Sequence, residues 1–245
     1  MGIYLNPGNE VFRQIVNADL YIDKTMLLRE TNRLLDSANK YICMSRPRRF
    51  GKTVTGNMLC SYYSRGCDSR ELFEPFRISR DPGFLKNLNR YHVIKIDMNS
   101  EYQSAQEKKD VLKILTEEVR EEMKTAFPDV VFRGSDSLAR CILRVYAAKQ
   151  ETFIILLDEY DVFVREQVSD ELFQEYLAFL NSLFKSDTLR PAISLAYLTG
   201  ILPIVRDKVQ SKLNNFREYT ILNAGVFAEY VGFTARETEE VCAER

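Results

Sequence analysis

Three short runs in this chain, Tyr41 to Met44, Phe153 to Leu157 and Ile193 to Leu198, are nearly all apolar and show no polar alternation. A strand with one face in water alternates with a period of two, so strands of this kind must be covered on both faces, as in a parallel sheet flanked by helices. Two further runs, Val93 to Met98 and Tyr219 to Leu222, bring the expected sheet to five strands.

The stretches between them carry helical spacing. Thr25 is expected to cap a helix running to Leu35, with Met26, Leu27, Leu28 and Leu34 on its apolar face, and another helix follows Lys52. From Gln106 to Ala126, Val111, Ile114, Leu115, Val119 and Met123 share one stripe, and Leu138, Ile142, Val145 and Tyr146 form the next. Leu172 to Phe184 reads as a strongly apolar helix whose aromatic residues repeat at core-packing intervals. The expected fold class is therefore α/β, with a mostly parallel central sheet and helices on both faces.

With 245 residues, 45% of them hydrophobic, and only 10 Gly and 7 Pro, the chain is neither disordered nor collagen-like, and it can bury a core in one large domain or two small ones. The 34 Lys+Arg against 35 Asp+Glu leave a net charge of -1 and no global attraction for nucleic acid or an anionic membrane. Affinity for phosphate must come from local clustering. No segment reaches the roughly 18 unbroken apolar residues of a membrane helix, and the opening residues lack a signal-peptide pattern, so a cytoplasmic protein without membrane partners is expected. Five scattered cysteines without C-x-x-C spacing fit reduced thiols, and a single histidine, His92, leaves little for a His-based metal centre or a Ser-His-Asp triad. His92 reads as a strand-edge residue.

Residues 41 to 57 run from an apolar strand through the basic loop Ser45-Arg46-Pro47-Arg48-Arg49-Phe50 to Gly51-Lys52-Thr53-Val54 at a helix start. This is the context of a phosphate-binding loop, where backbone N–H groups and the helix dipole favour anions. Lys52 is in register to reach β/γ-phosphates and Thr53 to ligate Mg²⁺. The loop departs from G-x-x-x-x-G-K-[ST], because Arg46 stands where the first Gly belongs. Arg46, Arg48 and Arg49 are either solvated charge or fixed cations beside a phosphate; Pro47 restricts the loop backbone.

Downstream, Phe153 to Leu157 ends in Asp158-Glu159-Tyr160-Asp161. In a Walker B arrangement Asp158 holds Mg²⁺ across from Thr53, and Glu159 activates water as general base. Ligands in open α/β sheets bind at the carboxyl ends of strands, and the Ile193 run ends at Thr199-Gly200. Thr199 could sense a γ-phosphate or position water, or serve as a helix cap or turn residue. Asp97 is expected to be a paired buried acid, an acid near the site being the alternative.

Taken together, Asn17 to Thr25 (NADLYIDKT), Ser45 to Thr53 (SRPRRFGKT), Leu156 to Asp161 (LLDEYD), Leu198 to Ile201 (LTGI) and Val231 to Thr234 (VGFT) resemble the prokaryotic AAA-ATPase-like family over nearly the whole chain. The missing first Gly is usual there. The resemblance implies a P-loop NTPase three-layer sandwich that binds ATP with Mg²⁺. Its phosphate loop is residues 46 to 54; Lys52 and Thr53 take phosphate and metal roles, Asp158 the Walker B role and Glu159 the catalytic one. Asp23 and Lys24 match a signature that either covers the nucleotide or anchors the N-terminal helix. Family members commonly continue into a nuclease-like domain of the PD-(D/E)XK type, which nothing here matches. The expected function is Mg-dependent ATP hydrolysis coupled to a partner, to self-association or to such a further domain. The alternative is a non-hydrolysing nucleotide sensor, and nucleic-acid binding stays open.

Thr234-Ala235-Arg236-Glu237 is a capping box announcing a helix close to the chain end, read either as a short terminal helix or as the start of something longer. The expected organisation is an N-terminal segment 1–38 packed on an ATPase core 39–233, followed by the helix of 234–245.

Overall fold

The computed structural model describes residues 1–203 and 214–243. Its strands β1 (Tyr41–Ser45), β2 (His92–Asp97), β3 (Phe153–Asp158), β4 (Ile193–Gly200) and β5 (Arg217–Tyr219) form one sheet in the order β2-β3-β4-β1-β5. Every neighbouring pair is parallel. The apolar runs lack alternation because successive residues feed two different cores. Ile42, Met44, Ile154, Leu156, Leu195 and Tyr197 pack on one side, and Cys43, Ile155, Leu157, Ala196 and Leu198 on the other. β1, β3 and β4 are buried throughout, whereas Lys95 and Asp97 of β2 are half-exposed, as befits a strand at the sheet edge. That edge is covered by the N-terminal segment, where Lys95 N–H donates to Tyr4 O at 2.9 Å and Asn6 N–H to Val93 O at 2.7 Å.

Helices α1 (Glu10–Val16), α2 (Leu27–Leu34), α3 (Lys52–Tyr63), α4 (Arg70–Phe73) and α5 (Phe84–Asn87) cover one face, through Phe12, Leu28, Met58, Leu59, Phe73 and Phe84. After α6 (Met98–Ser104), helices α7 (Val111–Ala126), α8 (Leu138–Lys149), α9 (Val162–Arg165) and α10 (Asp170–Phe184) cover the other, through Leu115, Val119, Ile142, Val145, Phe163 and Tyr176. The last helix, α11 (Ala235–Ala243), begins with the expected capping box: Thr234 N–H donates to Glu237 Oε2 at 2.7 Å and Glu237 N–H to Thr234 Oγ1 at 3.2 Å. The final two residues of the chain lie outside the described residues.

Among the boundaries that differ from the sequence reading, three concern where an element starts or stops relative to a turn. β5 ends at Tyr219 instead of starting there, because the chain turns at Thr220, whose N–H donates to Asn223 O, and leaves Leu222 96% exposed. α2 starts at Leu27, since the Thr25 N–H and hydroxyl are both taken by Asp23 Oδ1, at 2.8 and 2.6 Å, ahead of the helix. The helix expected from Gln106 begins at Val111, after a 3-10 turn at Lys108–Asp110. Among the described residues no helix is long and apolar enough to cross a membrane.

Candidate functional site

Because all strands are parallel, their carboxyl ends meet at one edge of the sheet. Asp97 pairs with Asp158, Met44 with Thr199, and Ser45 with Gly200, so the loops after β1, β2, β3 and β4 open onto the same region. β4 lies between β1 and β3 and separates the basic loop from the acidic one.

The basic loop folds tightly onto the start of α3. Arg49 and Gly51 both lie in the left-handed region, at φ 67° and 72°. A Cβ on Gly51 would meet nothing within 4 Å, so glycine is favoured there by backbone conformation and not by space. α3 opens at Lys52, and its first amides have no intrahelical acceptor, which suits them to an anion. Lys52 is buried and donates from Nζ to Arg46 O and Pro47 O, at 3.0 Å each. Burial lowers its pKa, opposed by the carboxylates of Glu159, Asp158 and Asp161. Thr53 is exposed and Val54 half-buried.

The arginines divide. Arg46 is 3% exposed and donates from Nη1 to Ser45 O at 3.0 Å and to Tyr219 O at 2.9 Å, tying β1 to the end of β5. Its side chain serves the fold and is not brought to the open cavity. Arg48 and Arg49 are exposed and line a cleft of about 710 Å³ together with Gly51, Lys52, Thr53, Val54, Asp97, Asn99, Glu159 and Arg165.

On the acidic side, Asp158 is buried and its Oδ1 accepts from the Glu159 N–H at 3.0 Å and from the Thr199 hydroxyl. Thr199 thus lies within β4, neither a helix cap nor a turn residue. Glu159 adopts a left-handed backbone at φ 52°, uncommon for a residue with a side chain, which turns the chain sharply out of β3. Its carboxylate pairs with Arg165, and burial raises its pKa against the opposing charges of Arg165 and Lys52. Asp97 departs from the expected paired buried acid. Half-exposed, it caps α6, accepting the N–H groups of Asn99 at 3.0 Å and Ser100 at 3.1 Å, and it faces the cleft.

A second, largely apolar cavity of about 500 Å³ adjoins the first and shares Arg49, Gly51 and Val54 with it. Tyr21, Ile22, Met58, Phe50, Tyr230 and Phe233 are among its walls. Asp23 and Lys24 brace this side. Asp23 Oδ2 accepts the Arg77 N–H at 2.8 Å, and Lys24 Nζ donates to Glu229 O at 2.7 Å and to both oxygens of Glu237, at 2.5 and 2.6 Å. Gly232, at φ 94°, lies so close to the Phe50 ring that a Cβ there would come within 2.7 Å of it.

Sequence reading placed Asp161 in the acidic strand end without a role, and it missed Arg165 and Glu237 as members of this region. Asp161 and Arg165 are spaced i,i+4 after the acidic strand end, a signal available in the sequence, whereas nothing local marks Glu237 as the partner of Lys24.

The family model AAA-ATPase-like, described as predicted AAA-ATPase, matches residues 7–210. No curated protein matches the chain.

Proposed function

The chain belongs to the AAA-ATPase-like family, and on that premise we propose that it binds ATP with Mg²⁺ across the two cavities and hydrolyses it. The observation that carries this reading is the meeting of Lys52 and Thr53 with Asp158, Glu159 and Thr199 at one sheet edge, beside an apolar cavity. Phosphates fit the cleft, where the α3 amides, Lys52, Arg48 and Arg49 supply positive charge. On binding, the Lys52 ammonium exchanges its carbonyl acceptors for phosphate oxygens, which relieves its desolvation. The base fits the apolar cavity, with Phe50, Tyr21 and Tyr230 as aromatic surfaces.

The residues present fit Mg²⁺, which takes hard oxygen ligands, keeps several waters, and needs only one or two protein groups when phosphates supply the rest. Thr53 is exposed at the cleft, and among the described residues both hydrogen bonds to the Asp158 side chain fall on Oδ1, leaving Oδ2 with neither. Thr53 and Asp158 would hold the metal, which when bound neutralises phosphate charge. Glu159 accepts the proton of the attacking water, and Thr199 keeps Asp158 in place. Residues 39–233 act as the nucleotide-binding core, with segments 1–38 and 234–245 packed around it, and hydrolysis is coupled to a partner or a further domain.

Calorimetric titration of Mg-ATP into the wild type and Lys52→Ala tests the site. Affinity is expected to fall at least about tenfold in the variant, and equal affinities would sink the assignment. Tight binding without phosphate release would replace hydrolysis with nucleotide sensing.

A further inference from the structure

We propose that Arg165 is a positioning residue for hydrolysis, holding the Glu159 carboxylate at the phosphate cleft through an ion pair that Asp161 anchors. The proposal rests on the reading of Glu159 as general base. It begins from a chain of contacts outside the phosphate loop. Asp161 is 1% exposed, and its Oδ2 accepts the backbone N–H groups of Ile201 at 3.0 Å and Leu202 at 2.8 Å, immediately after β4. A carboxylate fixed by two main-chain donors of a neighbouring element is a rigid support. Arg165 lies one turn on, at the end of α9, with Nε 3.4 Å from the same Oδ2, and its Nη2 donates to Glu159 Oε2. The three side chains are little exposed, at 14% for Arg165, 22% for Glu159 and 2% for Asp161, so water screens the ion pairs only partly.

Glu159 needs this support. Its left-handed backbone lies outside any strand or helix, and a glutamate has enough rotatable bonds to swing away from the cleft. The guanidinium, placed by Asp161, holds one carboxylate oxygen and leaves the other for a water. A direct role on phosphate suits Arg165 less well, because two carboxylates already flank its single charge. Arg48 and Arg49, exposed at the cleft, are better placed for that role.

The test is a double-mutant cycle on Mg-ATP hydrolysis with nucleotide affinity measured in parallel. Arg165→Ala is expected to lower kcat about tenfold to a hundredfold while Kd for Mg-ATP changes by less than about threefold. In a Glu159→Gln background the same substitution should cost nothing further, because its route of action has been removed. Arg165→Lys, which restores the charge but not the fork, should recover part of the lost rate, and Arg165→Gln should not. The proposal is overturned by an unchanged or raised kcat in Arg165→Ala, by an added loss in the Glu159→Gln background, or by a fall in affinity as large as the fall in rate. If Arg165→Ala does not fold, equal rates for the Lys and Gln variants overturn it. An unaltered rate in Glu159→Gln alone overturns the reading of Glu159 as general base, and no turnover by the wild type overturns hydrolysis, each taking this proposal with it; a lowered rate in Glu159→Gln beside an unchanged rate in Arg165→Ala overturns this proposal alone.

Discussion

The Thr199 hydroxyl, on β4, donates to Asp158 Oδ1 on β3, so the central strand of the sheet holds the acid at the end of its neighbour. Both residues are buried, Thr199 at 2% exposure and Asp158 at 7%. In Thr199→Val the shape is kept and the donor is lost, leaving Asp158 with the Glu159 N–H alone on that oxygen. We expect a loss of about 1–3 kcal/mol in urea unfolding, a drop in Mg-ATP turnover, and recovery of both in Thr199→Ser. A Val variant as stable and as active as the wild type would show that the bond orders nothing.

Gly232 rests against Phe50 with a positive φ, so Gly232→Ala meets two obstacles, an unfavourable backbone conformation and a Cβ 2.7 Å from the ring. The expected cost is at least about 1 kcal/mol, larger than for an alanine at an ordinary glycine position. Because Phe50 belongs to the loop proposed to bind phosphate, nucleotide affinity should fall with stability. Thermal melts with and without Mg-ATP give both numbers, and a stability loss with unchanged affinity would confine the effect to the fold.

Away from the cleft, Asp136 takes a two-pronged bond from Arg144, at 2.6 and 3.1 Å, and the Arg133 N–H at 2.7 Å. The bond from Arg144 holds its pKa below the usual carboxylate range, against the opposing effect of burial. A carboxyl that ionises more readily folded than unfolded stabilises above its unfolded pKa, and that contribution is lost as pH falls through the folded value. Asp136→Asn should therefore be less stable than the wild type at neutral pH, with the gap closing below about pH 4. Chemical unfolding at several pH values checks this, and a gap independent of pH would point to lost hydrogen bonds alone.

Where strand and helix positions follow from local chemistry, the chain could be read directly. Phe153 to Leu157 needs cover on both faces, and Lys52 needs a helix start behind it; both are satisfied within a few residues. The misreadings arose where a side chain answers to a distant group. Arg46 looked like a cleft cation beside Arg48 and Arg49, but the Tyr219 carbonyl, supplied by β5, draws it into the fold. Asp97 reads as a paired buried acid, with a place near the site as the alternative, and it takes the alternative, facing the cleft with its donors in the first amides of α6. The helix starts at Leu27, one residue later than a Thr25 cap implies, because Asp23 takes the Thr25 N–H and hydroxyl. Arg165 was overlooked because it lies on a four-residue helix too short to announce itself by periodicity.

Lys24, in the wall of the apolar cavity, is held by Glu237 from 213 residues away. This sets the smallest piece of the protein that is useful to express. A version cut where the family match stops, at residue 210, would lack β5, the Tyr219 carbonyl that holds Arg46, the glycine against Phe50, and the acid that neutralises Lys24. It would keep Lys52, Asp158 and Glu159 in sequence while losing the surfaces that give the cavity its shape. Biochemistry on such a fragment would report the trimming more than the chemistry.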